Sequence, residues 1–191
     1  MIKKLDVGCG DRKRQGYLGM DIVSLPNVDI MHDMNITPWP FENNIFEEII
    51  FDDVLEHSKK LLEILSEVYR VSVNGATIKI SLPHFSSDNM YSGPTHTTFF
   101  SSRSFNYFDK SLNYKHSFYL PEVNFKIIKS YISFRQYFMH TGKRPFFNPL
   151  KWIGIEWLVN KNKRIYERFF CWIFPAAELY FELKVIKNDK S

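Results

Sequence analysis

The stretch Leu5-Asp-Val-Gly-Cys-Gly10 limits what this chain can become more than any other part of it. A short apolar run breaks at once into two glycines, and glycine permits sharp backbone turns and close ligand approach that a Cβ forbids. Similar short runs follow at Tyr17–Val23, Val28–His32, Phe46–Phe51 and Ala76–Leu82, the last closed by Pro83. Strands that are nearly continuous hydrophobic runs suit a sheet covered on both faces, so a mostly parallel sheet in an α/β fold is expected. Leu61, Leu65, Val68, Tyr69 and Val73 follow helical spacing and predict a helix from about Lys59 to Val73, stopped by Asn74-Gly75. Phe125–Phe134 and Leu179–Lys187 read as two longer strands that could pair antiparallel at one edge of the sheet.

Two early connections are short: Asp11–Gly16, and Ser24–Asn27. A helical crossover between parallel strands takes about a dozen residues, so these two are expected to be loops or single turns, with one sheet face thinly covered there. With 191 residues, no repeat and no linker, one domain over 1–191 is expected, with 135–175 as an insert before the last strand. Cys9 and Cys171 are the only cysteines and form no Cys-x-x-Cys or Cys/His cluster, which argues against a disulfide framework and a structural zinc; no metal ligands are expected. The strand-like run from Ile2 leaves no room for an export signal, and Phe169–Ala177, broken by Pro175, falls short of the ~20 apolar residues of a membrane span. The expected locale is the reducing cytoplasm, with peripheral contact at the inner face of a membrane left open.

Ligands of open α/β sheets bind beyond the carboxyl ends of the strands, where the glycine loop sits. A dinucleotide fingerprint needs a third glycine where Lys13 stands, and a phosphate loop needs a Gly-Lys-Ser/Thr that is absent. Acids occur instead at successive strand ends: Asp6, Asp21, Asp33, and Asp52 with Asp53. Converging carboxylates would accept hydrogen bonds from a ribose diol, a cation and an exocyclic amine, and would repel a pyrophosphate. The alternative is that some of these acids merely cap turns or helix starts.

Taken together, the glycine motif Leu5–Gly10, Gly19-Met-Asp-Ile22, His32-Asp-Met-Asn35 ahead of Pro38-Trp-Pro-Phe41, Asp53-Val-Leu-Glu-His57, and Glu67-Val-Tyr-Arg-Val71 with Gly75 resemble the class I S-adenosylmethionine-dependent methyltransferases over roughly residues 2–108. The resemblance implies a Rossmann-like, seven-stranded, mostly parallel sheet with an antiparallel C-terminal edge, and S-adenosyl-L-methionine as cofactor. It implies a cofactor-binding set of Asp6, Gly8, Cys9, Gly10, Asp21, Ile22, Asp33, Met34 and Asp52. Asp21 would hold both ribose hydroxyls, Asp33 would meet the adenine amino group over Met34, and Asp52 would lie near the sulfonium. The chain departs from the family where the helix after the glycine motif is curtailed, which leaves Asp11–Gly16 expected as a mobile segment and cofactor affinity as modest.

Methyl transfer from an activated donor mainly needs alignment and exclusion of water, and only sometimes a base. Histidine is the side chain that titrates unperturbed near neutrality, which makes His57, His84 and His96 the candidates. The catalytic expectation rests on His57 and His96, the latter in a polar loop before a short helix expected over Ser102–Phe108. His32, His116 and His140 read as surface or packing residues.

Charge is uneven: residues 1–128 carry 13 basic and 16 acidic side chains, net −3, whereas 129–191 carry 12 and 5, net +7. Within Arg135–Pro175 eight basic residues stand beside eleven aromatics. Such a segment suits a lipid surface, a lid over the acceptor, or an oligomer surface. Plain packing would turn Trp152, Ile155 or Leu158 inward and leave Lys161, Lys163 and Arg164 on a solvated turn. Nucleic acid is disfavoured by the near-neutral first two thirds, by the lack of an additional recognition module and by the lack of an Asn-Pro-Pro-Tyr-type motif. A small-molecule, saccharide or lipid-linked acceptor is the preferred reading. Against it stands a noncatalytic protein of the same fold that attaches to membranes or proteins.

Overall fold

The computed structural model describes residues 2–114, 120–134 and 154–187. The first five apolar runs form β1 (Lys4–Val7), β2 (Leu18–Asp21), β3 (Ile30–Met31), β4 (Phe46–Asp52) and β5 (Ser72–Pro83). The later two form β6 (Phe125–Ser133) and β7 (Glu178–Val185). Among the described residues they make one seven-stranded sheet in the order β3-β2-β1-β4-β5-β7-β6. The first five run parallel to one another, and β7 runs antiparallel to both β5 and β6. Strand order reverses between β1 and β4, so their carboxyl ends flank the crevice where ligands of such sheets bind. The two short early connections contain no helix, as their length requires.

Helix α1 (Leu61–Val71) buries Ile64, Leu65, Val68 and Val71, each stabilising the fold by about 1.5–3 kcal/mol through burial. It is shorter than the spacing alone predicts. The chain turns extended at Ser72 and enters β5 directly, so Asn74-Gly75 does not end the helix. Gly75 lies inside β5 at φ +80, where the β4–β5 register shifts between Phe46 and Glu48. A left-handed residue at a β-bulge explains the glycine better than a helix stop does. The helix expected over Ser102–Phe108 is only a 3-10 turn at Asn106–Phe108, while α2 (Asp88–Ser92) was not foreseen.

Of the insert, residues 135–153, Trp152 among them, lie outside the described residues. The rest holds α3 (Ile155–Lys161) and α4 (Lys163–Phe169). Helix α3 is fastened to the sheet edge by polar groups. The Asn160 amide donates to the Ile132 carbonyl at 2.7 Å and accepts from the Ile132 N–H at 2.8 Å, as a further strand would. Glu156 accepts the Tyr131 hydroxyl at 2.5 Å and the Phe134 N–H at 3.2 Å. This covers an edge that would otherwise present unpaired backbone. Val159 and Tyr166 face inward and Ile155 packs partly buried against the core, whereas Leu158, another residue that plain packing would turn inward, is exposed together with Trp157. Among the described residues no helix is long and apolar enough to cross a membrane.

Candidate functional site

A cleft of 630 Å³ opens at the carboxyl ends of β1, β2 and β4, lined among others by Gly8, Met20, Asp21, Ile22, His32, Asp33, Met34, Asp53, Val54 and His57. Its floor follows from the glycine turn. Gly8 sits at φ +67, and a Cβ there would lie 2.5 Å from a Val54 methyl, so both the conformation and the close packing demand glycine. The Gly8 N–H donates to the Met20 carbonyl at 2.7 Å, locking the turn to β2. Gly10, at φ +54, donates its N–H to Asp21 Oδ2 at 2.8 Å, and the Val23 N–H reaches Oδ1 at 3.0 Å. Both oxygens of Asp21 are thus oriented by backbone, and each keeps lone-pair capacity for a ligand.

The opposite wall is held from behind. Asp33 Oδ1 accepts from the Asn35 backbone and side-chain amide at 2.9 Å each, and Asn35 Oδ1 accepts from the Lys59 N–H at 2.9 Å. Met34 is fixed through its carbonyl, which accepts the Trp39 indole N–H at 3.0 Å. Trp39 is in turn gripped by α1: its N–H donates to Glu67 at 2.6 Å and its carbonyl accepts from Arg70 at 3.1 Å. The Pro38-Trp-Pro-Phe41 segment therefore positions Met34.

Not every residue singled out in the sequence reaches the cleft wall. Asp6 is buried beneath the glycine turn and accepts the Arg14 N–H at 2.9 Å. Cys9 is buried too, and burial, then the charges of Asp6 and Asp21, push its thiol up to about 12. Asp52 is buried behind the wall, and it is the next residue, Asp53, that lines the cleft. A positive φ of 55 at Asp53 accompanies this placement. Burial, then the neighbouring Asp52 charge, push its carboxyl up to about 7. The segment Asp11–Gly16, expected to be mobile, is tethered: Lys13 forks onto Asp29 at 2.9 and 2.8 Å, and the Asn27 amide donates to the Asp11 carbonyl at 2.7 Å.

The histidines divide. His57 lines the cleft, and burial followed by the proximity of His96 depresses its pKa. His96 lines an adjoining cavity of 260 Å³ that shares Asp53 and His57 with the cleft and adds Glu56. Glu56 is buried, and burial, then Asp53, push its carboxyl up to about 8. His84 is fully buried, its Nδ1 2.8 Å from the Ser86 hydroxyl and its Nε2 3.5 Å from Glu167. His32, which the sequence marks as ordinary, lies on the cleft wall with Nε2 at 2.8 Å from the Ile36 carbonyl. Pro94, Thr95 and Thr97, in the polar loop that carries His96, close the far side. Thr97 and Thr98 tie that loop to the Ser58 carbonyl at 2.9 and 2.7 Å.

The fold also occurs among solved structures. A methyltransferase dependent on S-adenosylmethionine from Archaeoglobus fulgidus matches over 95% of this chain and 85% of its own, with a TM-score of 0.53 and 17% identity. The fold is that of the class I methyltransferases. The YcgJ protein of Bacillus subtilis matches over 97% of this chain and 92% of its own, with a TM-score of 0.57 and 13% identity. The cyclase SpnF matches over 98% and 75%, with a TM-score of 0.56 and 13% identity. The class I methyltransferase fold thus reaches this chain at low identity and is shared by a protein named as a cyclase. No family model matches the chain, and no curated protein matches it in sequence.

Proposed function

We propose that the chain binds S-adenosylmethionine in the 630 Å³ cleft and passes its methyl group to a small-molecule, saccharide or lipid-linked acceptor. One observation carries this reading: Asp21, at the tip of β2, has both carboxylate oxygens oriented by backbone N–H groups beside a glycine turn with no room for a Cβ. A fixed carboxylate suits a vicinal diol. The residues present fit the cofactor in charge as well, since Asp21, Asp33 and Asp53 line the cleft with only Lys59 as a formal cation among its lining residues. When bound, the cofactor supplies a methyl group already activated on a positively charged sulfur. The protein then has to orient and to exclude water. In this reading Asp21 grips the ribose, Asp33 and Met34 hold the adenine end, and the glycine turn admits the methionine end. His57 and Asp53 stand at the junction with the adjoining cavity, and either could take a proton from an acceptor.

Calorimetric titration with S-adenosylmethionine and with S-adenosylhomocysteine tests it, comparing the parent with Asp21→Ala. Hydrogen bonds to a charged group contribute about 1.5–3 kcal/mol, so roughly a 10- to 100-fold loss of affinity is expected. Equal affinity in both proteins, or binding by neither, refutes the assignment.

A second reading is favoured by a cluster on α3, α4 and the turn after them. Trp157, Leu158, Phe169, Trp172 and Ile173 are all more than three-fifths exposed, and Lys161 Nζ lies 3.7 Å from the centre of the Trp157 ring. Apolar side chains interleaved with cations suit attachment to an anionic lipid surface. Sedimentation with vesicles containing anionic lipid should lose its salt-sensitive component when Lys161, Lys163 and Arg164 are neutralised together. Unchanged binding, or none by the parent, removes this reading.

A further inference from the structure

We infer that Glu56, His57 and His96 form a binding site for one first-row divalent transition ion beside the donor cleft. The fold alone brings them together: Glu56 and His57 lie on the 3-10 turn Leu55–His57 after β4, and His96 arrives from the loop that follows α2. One potential ligand atom from each lies within 4.8 Å of the others, and the two imidazole rings stand edge to face with centroids 4.8 Å apart. The 260 Å³ cavity is open to all three, and Asp53, on the same lining, offers a further oxygen.

Three features distinguish this group from a chance cluster. First, Glu56 is only 1% exposed and its Oε2 has no hydrogen-bond partner. A buried oxygen without a partner is destabilising, and a cation would relieve that cost. Second, both rings are anchored through Nδ1. His96 Nδ1 is 3.1 Å from the Met90 carbonyl, and His57 Nδ1 is 2.9 Å from the Thr95 hydroxyl and 3.4 Å from its carbonyl. A carbonyl only accepts, so on His96 a proton on Nδ1 facing Met90 leaves the lone pair on Nε2, the arrangement that orients imidazoles toward metals. Third, a Cβ on Gly93 would stand 2.4 Å from His96 Nε2, although the φ of −81 there is open to any residue. The His96 ring occupies room that exists because residue 93 has no side chain.

Two imidazoles and one carboxylate favour zinc, iron, manganese or cobalt over magnesium and calcium, which prefer oxygen throughout. Bonds of ~2.0–2.1 Å put tetrahedral ligand atoms about 3.4 Å apart, so the three groups need to close by little more than ~1 Å. Binding a metal here does not depend on the methyl-transfer reading.

Titration of the untagged chain, stripped with EDTA and desalted, with Co2+ and detection by visible d–d absorption provides the test. One equivalent is expected to bind, unaffected by Mg2+ in excess. His57→Ala and His96→Ala should each weaken it about tenfold or more. Gly93→Ala keeps all three ligands in the chain and should weaken it likewise, with circular dichroism and thermal melting reporting that the fold persists. Absence of stoichiometric binding by the parent, or parent-like affinity in both histidine variants, overturns the inference. Titrating the same samples with S-adenosylhomocysteine reads the donor cleft separately. Binding of that ligand without binding of cobalt removes the metal site and leaves the methyl-transfer reading standing.

Discussion

Glu67→Ala removes a carboxylate shared by three donors: the Trp39 N–H at 2.6 Å, Arg70 Nε at 2.8 Å and Arg70 Nη2 at 2.6 Å. Each charge-assisted hydrogen bond contributes about 1.5–3 kcal/mol where water is excluded. The Glu67 side chain is 10% exposed but that of Arg70 is 28% exposed, so part of the ion pair is returned to solvent on truncation. Counting the buried Trp39 bond in full and discounting the pair gives a loss of about 2–4 kcal/mol. For a chain of this length that corresponds to a fall of roughly 5–15 °C in Tm. The same lesion reaches the cleft. Trp39 loses the anchor of its backbone N–H, and its indole N–H is what fixes the Met34 carbonyl, so affinity for S-adenosylhomocysteine should fall together with stability. Urea unfolding followed by tryptophan fluorescence measures the first effect and calorimetry the second.

Glu67→Gln separates charge from shape through pH. Burial disfavours the ionised carboxylate, but Arg70 and the Trp39 N–H outweigh it and hold Glu67 below its ordinary value of 4.5. A depressed folded-state pKa gives stability that is complete above that ordinary value and is lost as the pH falls through the folded-state value. The stability gap between parent and Glu67→Gln should therefore be full at pH 7 and narrow below about pH 4.5. A Glu67→Ala midpoint equal to the parent's, or a gap indifferent to pH, would refute the view that this carboxylate holds the wall of the cleft.

Gly8→Ala should destabilise the chain by about 2 kcal/mol or more, because a left-handed φ and overlap with Val54 add up; adding Val54→Ala should recover the steric part only, measurable as a coupling in a double-mutant cycle. Cys9 and Cys171 are both buried with raised pKa values, that of Cys9 at about 12, so a thiol reagent at pH 8 should label neither until the chain is unfolded. Rapid labelling of the native protein would show that the floor of the glycine turn is open.

The strands and the position of the crevice were legible because they depend on features with local signatures. Val7-Gly8 ends a strand in a turn, Asp21 and Asp33 follow apolar runs, and connections as short as Ser24–Asn27 leave no room for a helix. Gly8, Asp21, Ile22, Asp33, Met34 and His57 accordingly line one hollow. The reading of Gly75 went astray for a physical reason: a left-handed glycine after an amphipathic run has the same local signature whether it ends a helix or bulges a strand. Only the pairing with β4, which is not local, decides between them. The insert was obscure on similar grounds. Asn160 and Glu156 look like solvated helix residues until the edge of β6, distant in sequence, supplies the backbone groups they satisfy.

The boundary between what was legible and what was not runs between Asp52 and Asp53. Both follow β4, and their order in the chain gives no reason to prefer either. At the carboxyl end of a parallel strand successive residues alternate in direction, so one of two adjacent acids turns back into the protein while the other can enter the crevice. Which one does so depends on where the strand releases the chain, and a left-handed turn at Asp53, its N–H held by the Ser81 carbonyl at 3.0 Å, makes that choice. That turn also leads into the 3-10 segment that places Glu56 and His57 opposite His96, a residue 39 positions further along the chain than His57. No spacing rule spans such a gap. A Glu-His pair and a remote histidine look unrelated in sequence, and their meeting depends on the loop after α2 being fastened by Thr97 and Thr98 to the same turn.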